Sequence, residues 1–354
     1  MNWETLDWEA LDRLRETFLS DAKRAGPYWH TITDLESYDF TFGERIGWKW
    51  DAVLSELKQR GWSPPPCGTF LDWGCGSGIA GRRVLTAFGA TNFSRLLVHD
   101  HSSLAMDFAE HQSRKQFPSL EIGRPDTRYL RGNEPIGVLI LSHVLNELDE
   151  IARAELTELC ARAETILWVE PGTHEVSRAL GLWREKLRAT MTAVAPCPHQ
   201  AACGILAAGN ERHWCHFFAA PPAGVHADSG WVKFGQRAGI DLRSLPYCFL
   251  ALDKRTVGRA LCPTSKENNV GDKPRPTEDT GFSRIIGEPR HYKGYAKIYN
   301  CDAGGVNDLM LQKRDAPEVF KALKHGGGPL LHRWTHANGR IMPLTPPPVE
   351  SGPA

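Results

Sequence analysis

Apolar positions in the first sixty residues return at helical spacing, with Trp3, Leu6, Leu11, Leu14 and Phe18 set among charges, and this predicts a helical lead-in over 1–62. Pro64-Pro65-Pro66 breaks that period and delivers the chain into Thr69-Phe70-Leu71-Asp72-Trp73, a short apolar run that reads as a buried strand. A helix is predicted over Ala80 to Phe88. Further strands are predicted at Arg95 to Asp100, Ile136 to Leu141 and Thr165 to Glu170, with helix-compatible stretches between them. Strands alternating with helices require crossover connections, so a parallel sheet covered on both faces is expected over 63–190, a Rossmann-like α/β domain.

After Thr190 the pattern changes to cysteine, histidine, proline and glycine. The clearest later strands are Leu245 to Leu252 and Tyr295 to Cys301, predicting a smaller, Cys-rich, β-containing C-terminal domain over 191–325. The polar, Pro-containing stretch 263–280 reads as a mobile loop. A tail over 326–354 is expected to lose order toward its Pro-rich end, 343–354.

Charge changes this picture little. Lys plus Arg equals Asp plus Glu at 42 each, so the balance announces neither a nucleic-acid nor a membrane partner. Residues 231–325 hold 17 basic against 11 acidic side chains, a bias compatible with a phosphate-rich partner and equally with solvated surface. No window approaches the roughly 18 apolar residues of a spanning helix. The first residues have neither an apolar signal core nor Arg-rich transit character, so a cytoplasmic location is expected, with no membrane or DNA partner. Nine cysteines without a secretory signal favour ligation over disulfides.

Two motifs carry candidate chemistry. The first is Asp72-x-Gly74-x-Gly76-x-Gly78, placed between a strand and a helix, where glycines permit a tight turn and close approach of a ligand. Its GxGxG spacing, with an acid two residues earlier, differs from the dinucleotide GxGxxG. It resembles the S-adenosylmethionine loop of class I methyltransferases. That likeness implies Asp72 near the cofactor's ammonium, Asp100 on the ribose hydroxyls and Asp126 near the adenine amine. Without a ligand the same residues read as a turn, a helix cap and a loop aspartate. The stretch Leu141 to Leu148 lacks the Asn-Pro-Pro-Tyr motif that orients an exocyclic amine. His143 and Asn146 are candidates to face the methyl donor, and no catalytic base is assigned.

The second motif is Cys197, Cys203 and Cys215, three soft thiolates that select zinc or an iron–sulfur cluster. Structural zinc usually brings paired CxxC knuckles, whereas a larger cluster suits the wider gaps seen here. Cys301 would complete a four-thiolate set. Zinc with mixed ligation remains open through His199, His213 and His216, and Cys248 and Cys262 are rival fourth ligands. Cys67, Cys75 and Cys160 read as buried apolar residues. The CxxxCxxC run of radical S-adenosylmethionine enzymes is absent from the sequence.

Taken together, Phe70 to Gly78, Ser142 to Leu148, Glu170-Pro171-Gly172-Thr173, Cys197-Pro198-His199 and Trp214-Cys215-His216-Phe217 resemble the ribosomal small-subunit assembly methyltransferase-like proteins of bacteria and mitochondria, over about residues 40 to 325. The resemblance implies a class I methyltransferase domain joined to a domain holding a 4Fe–4S cluster. Its cluster ligands would be Cys197, Cys203, Cys215 and Cys301. It implies S-adenosylmethionine as cofactor and the small subunit, with its rRNA, as partner. Three functions follow as expectations: a methyltransferase acting on the subunit, a non-catalytic assembly factor that binds the cofactor, or a small-molecule methyltransferase with structural zinc.

Overall fold

The computed structural model describes residues 1–20, 28–66, 68–255, 281–325 and 329–342. Three helices lead in: α1 (Trp8–Leu19), α2 (Ile32–Tyr38) and α3 (Glu44–Gln59), with a π-helical turn, Asp39–Gly43, between the last two. A capping box closes the start of α2, where Thr31 and Asp34 exchange side-chain and backbone bonds. Helix α3 buries Trp48, Trp50, Val53, Leu54 and Leu57, all within the main core cluster, so the lead-in shares the main core.

The main sheet contains β1 (Gly68–Trp73), β2 (Phe93–His99), β3 (Glu121–Gly123), β4 (Ile136–Ser142), β5 (Ala163–Pro171), β6 (Thr192–Ala195), β7 (Phe217–Phe218) and β8 (Pro246–Asp253). Their order is β3-β2-β1-β4-β5-β8-β6, with β7 paired to β8. Strands β3, β2, β1, β4 and β5 run parallel, and β8 is antiparallel to both β5 and β6. Strand β4 is apolar throughout and almost wholly buried, as a strand covered on both faces must be. The remaining helices of this layer are α4 (Ile79–Phe88), α5 (Ser103–Gln116), α6 (Thr127–Arg131), α7 (Glu150–Arg162), α8 (His174–Leu187) and α9 (Ser229–Ala238).

The expected boundary at residue 190 does not coincide with a break in the sheet. Strands β6, β7 and β8 all follow it in sequence and lie in the main sheet, because β8 fills the space between β5 and β6. The smaller second sheet consists of β9 (Arg284–Tyr292), β10 (Tyr295–Asp302), β11 (Gly305–Gln312), β12 (His336–Ala337) and β13 (Arg340–Ile341), in the order β12-β13-β11-β10-β9. Helix α10 (Pro317–Lys324) packs Phe320 into its apolar cluster with Ile298, Leu309, Leu311 and Trp334. The tail expected from 326 therefore contributes two strands. The loop expected at 263–280 and the Pro-rich end at 343–354 lie outside the described residues.

A buried ion-pair network joins the two sheets. Arg284 at the start of β9 donates to both Glu56 carboxylate oxygens of α3, each at 2.7 Å, and Arg60 donates to Glu56 Oε1 at 2.7 Å. The Arg284 guanidinium also lies over the Phe217 ring, 4.3 Å from its centre. Two cations around one carboxylate, with backbone carbonyls taking the remaining Arg60 protons, satisfy charges that burial would otherwise make costly.

Candidate functional site

At the C-terminal end of β1 the chain turns through Gly74, Gly76 and Gly78, all with positive φ. Gly74 has a second constraint: a Cβ there would come within 2.5 Å of Val144 in the loop after β4. The glycine spacing thus lets two neighbouring strand ends close on each other. The turn is pinned to β2, since Gly74 N and Cys75 N donate to His99 O at 2.8 and 3.0 Å. Asp100 then accepts from Gly76 N and Ser102 N, both at 2.9 Å.

This turn opens onto a cavity of about 830 Å³, lined by Gly74, Gly76, Asp100, His143, Asn146 and Gly172 at the strand ends. The lead-in roofs it with Tyr28, Trp29, Tyr38, Phe42 and Lys49. The roof is tied down by Arg82, which donates to both Asp39 oxygens at 2.7 and 2.8 Å and to Ser77 O at 2.7 Å.

Not every expected residue reaches this space. Asp72 is fully buried, accepts from Gly81 N at 3.1 Å, and is absent from the cavity wall. Burial pushes its carboxyl up to about 7 against the lowering effect of Gly81 N–H and Arg82. Gly78 also lies behind the wall, and Asp126 caps α6 by accepting from Tyr129 N at 2.6 Å, outside the cavity lining. Cys75 lines the cavity, with its thiol pushed well above the ordinary value, first by burial and then by Asp100 and Asp72.

Of the groups clustered beyond β4 and β5, sequence reasoning named His143 and Asn146 but missed Lys49, the role of Glu170 and the lead-in tyrosines. His143 adopts φ 59 and donates its N–H to Val169 O at 2.9 Å, and its buried Nε2 has no partner among the described residues. Burial and Lys49 hold this imidazole well below 6.5. Glu170 Oε1 gathers Val144 N, Leu145 N and Trp168 Nε1 at 3.0, 3.1 and 2.7 Å, fixing the loop that carries His143. Burial pushes the Glu170 carboxyl up to about 7 despite those donors. Tyr28 and Tyr38 have hydroxyls raised above the usual range, chiefly by burial and next by Glu147. The available sequence signal was Lys49 itself, a charge between Trp48 and Trp50 on a helix that buries both neighbours.

The four expected cysteine ligands lie at the junction of the two sheets. Cys197 follows β6, Cys203 precedes a 3-10 turn at Gly204–Leu206, Cys215 precedes β7 and Cys301 lies on β10. All four are free and half-buried. Three of them sense others of the set: burial raises the Cys215 thiol most, followed by Cys197, Cys301 and Cys203; burial, then Cys197 and Cys203, raise Cys301; and burial, then Cys197, raise Cys203. Cys301 Sγ lies 3.6 Å from His199 Nε2. Among the described residues, no three His, Cys, Asp or Glu side chains form a group able to hold a metal ion. Cys248 sits apart on β8, its Sγ 3.4 Å from Pro171 O, while Cys67 and Cys262 lie outside the described residues.

A loop with so little regular structure must satisfy its carbonyls otherwise, and three arginines do this. Arg60 donates to Val194 O and Pro196 O at 3.0 and 2.9 Å; Arg184 donates to Ala201 O and His199 O at 2.6 and 3.2 Å. Arg178 donates to Ile205 O, Asn210 O and His213 O at 2.9, 3.0 and 3.0 Å. Gly204 permits the approach of the second sheet, since a Cβ there would meet Val306 N at 2.7 Å and Gly305 Cα at 2.8 Å.

A mostly parallel sheet with β8 inserted antiparallel, and a glycine turn opening onto a cavity at the strand ends, defines the class I methyltransferase fold. The chain belongs to the family described as mitochondrial small ribosomal subunit Rsm22, whose profile matches residues 49–326. No curated protein matches it in sequence. Among solved structures it is similar to a candidate RNA methyltransferase from Pyrococcus horikoshii, at 10% identity over 58% of this chain and 81% of that one, with a TM-score of 0.36. It is also similar to a SAM-dependent methyltransferase from Aquifex aeolicus, at 14% identity over 47% and 90%, with a TM-score of 0.35. Strand order, not these distant likenesses, defines the fold. No described helix is long and apolar enough to cross a membrane.

Proposed function

We propose that this chain is an S-adenosylmethionine-dependent methyltransferase that acts on rRNA of the small ribosomal subunit during its assembly. The observation that carries the reading is the joining of a small-subunit family to a glycine turn that opens, with Asp100, onto a cavity large enough for a ligand. The cofactor, when bound, supplies an activated methyl group. Gly74 and Gly76 would border it with their backbone, and Asp100 offers carboxylate oxygens at the cavity wall. His143 and Asn146 line the side reached by an acceptor. The cytoplasmic location belongs to this proposal, whereas the family description refers to the mitochondrial subunit.

Cys197, Cys203, Cys215 and Cys301 would hold a 4Fe–4S cluster with a structural role. A single zinc, with Zn–S near 2.3 Å, needs its sulfurs roughly 3.8 Å apart. The wide sequence gaps between Cys197, Cys203 and Cys215 are what favour the larger cluster. Arg60 and Arg184 supply positive charge beside the set, for both feel Cys197. The chemistry of the donor set fits, because soft thiolates and nearby cations suit an anionic iron–sulfur centre.

The test is transfer of labelled methyl from S-adenosylmethionine to immature small subunits, taken from cells lacking the protein, with cofactor binding measured on the same anaerobic sample. Label in rRNA that disappears with Asp100→Ala is the expected result. Tight cofactor binding without label would replace the enzyme by a non-catalytic assembly factor.

A further inference from the structure

Resting on the methyl-transfer reading above, we infer that Lys49 is a catalytic residue, the base that takes the proton from a nitrogen or oxygen nucleophile as it is methylated. The placement begins with Trp50, whose Nε1 donates to Ser142 Oγ at 3.0 Å and fixes α3 against the end of β4. Lys49, one residue earlier, lines the same cavity as His143, Ser142, Pro171 and Gly172. Its ammonium makes no ion pair among the described residues, and the nearest-acting carboxylate, Glu170, spends Oε1 on three donors. Glu170 Oε2 is buried without a hydrogen-bond partner, so this carboxylate opposes the desolvation of Lys49 without pairing with it directly.

The groups acting on Lys49 come from three elements. Burial first and then Arg45 on its own helix lower it, Cys248 on β8 and Glu170 on β5 oppose the shift, and the balance lies at about 8. His143, after β4, is neutral through this range, as are the Cys248 thiol and the Tyr28 and Tyr38 hydroxyls. Glu170 ionises near 7, before Lys49 loses its proton. Lys49 is therefore held toward its neutral amine, the form that accepts a proton.

In the reaction the acceptor's lone pair forms the new bond to the methyl carbon while the carbon–sulfur bond breaks, its electron pair remaining on sulfur. The proton on the acceptor passes to Lys49 Nζ and then to solvent. The acceptor class is accordingly an amine or hydroxyl carrying a hydrogen.

Two measurements on the full chain test the assignment. In protein labelled with 13C at lysine Cε and free of cofactor, one resonance is expected to titrate near 8 and to vanish in Lys49→Arg. In methyl transfer to immature small subunits, Lys49→Arg should lose about 100-fold in kcat, with S-adenosylmethionine affinity within about threefold of wild type. A Lys49 resonance titrating near the ordinary 10.5, or full transfer by Lys49→Arg, overturns the assignment and leaves methyl transfer standing. Parallel loss of cofactor affinity and rate in both Lys49→Arg and Lys49→Met also overturns it, since Lys49 would then hold the cofactor. A wild-type chain that binds cofactor and transfers no methyl overturns the methyl-transfer reading and this assignment together.

Discussion

The glycine turn takes its geometry from five consecutive residues, Gly74 to Gly78, and the ends of strands that already pair, whereas the cysteine pocket draws on residues 197, 203, 215 and 301 and on arginines from α3 and α8. In the first region, backbone pairing between β1 and β2 sets the loop before any ligand arrives. In the second, irregular backbone is held by guanidinium groups, and the Cys203, Cys215 and Cys301 thiols are raised by burial and by neighbouring cysteines. A cavity on paired strands keeps its shape without a ligand, whereas a cluster held by the four cysteines, as proposed, would add its binding energy to the fold.

The largest expected effect tests that difference at the thiols. Cys203→Ser, purified anaerobically, should lose iron and sulfide together and unfold at clearly lower temperature, while full iron with an unchanged melting curve removes Cys203 from the ligand set. Next comes the ion-pair network that clamps the pocket between the sheets. Glu56→Gln leaves Arg60 and Arg284 buried beside a neutral amide and should cost about 3–5 kcal/mol in urea unfolding. A loss below about 1 kcal/mol would mean that the arginines find other partners. Gly204→Ala, which drives a methyl group into the β10–β11 turn, should cost about 1–3 kcal/mol. Its cofactor affinity should match wild type by calorimetry, and a matching loss of affinity would show the two regions to be one unit.

Much of the first region was legible because its signals are local. The apolar runs that became β1, β2, β4 and β5 are continuous, and the helix predicted over Ala80 to Phe88 lies within α4. The insertion of β8 between β5 and β6 carries no such signal. Its run, Pro246–Asp253, reads as a strand, but its partners are set by long-range pairing that no local pattern carries. Asp72 looked like a ligand group by spacing, yet a fully buried side chain facing Gly81 follows from the strand's pleat and the close approach of α4. Lys49, Glu170 and the lead-in tyrosines meet only in the folded chain, so no motif announced them.

The smallest effect concerns Asp72 and acts through pH. Its folded value, about 7, lies above the ordinary 3.8, so the native state holds a proton that the unfolded chain releases. This contribution is complete below about pH 4 and is lost as pH rises through 7. Asp72→Asn removes it, and the variant's stability relative to wild type should improve between pH 5 and pH 8, on the order of 1 kcal/mol or more. An identical pH dependence in the two proteins would place Asp72 in contact with water.

The central claim is that the glycine-turn cavity is the cofactor site and the cysteine pocket is not. Hydrogen–deuterium exchange on the anaerobic full chain, with and without S-adenosylhomocysteine, tests it most directly. Protection is predicted at residues 73–78, 99–102 and 142–147, with 197–217 unchanged. Protection confined to 197–217, or none anywhere, would contradict the account.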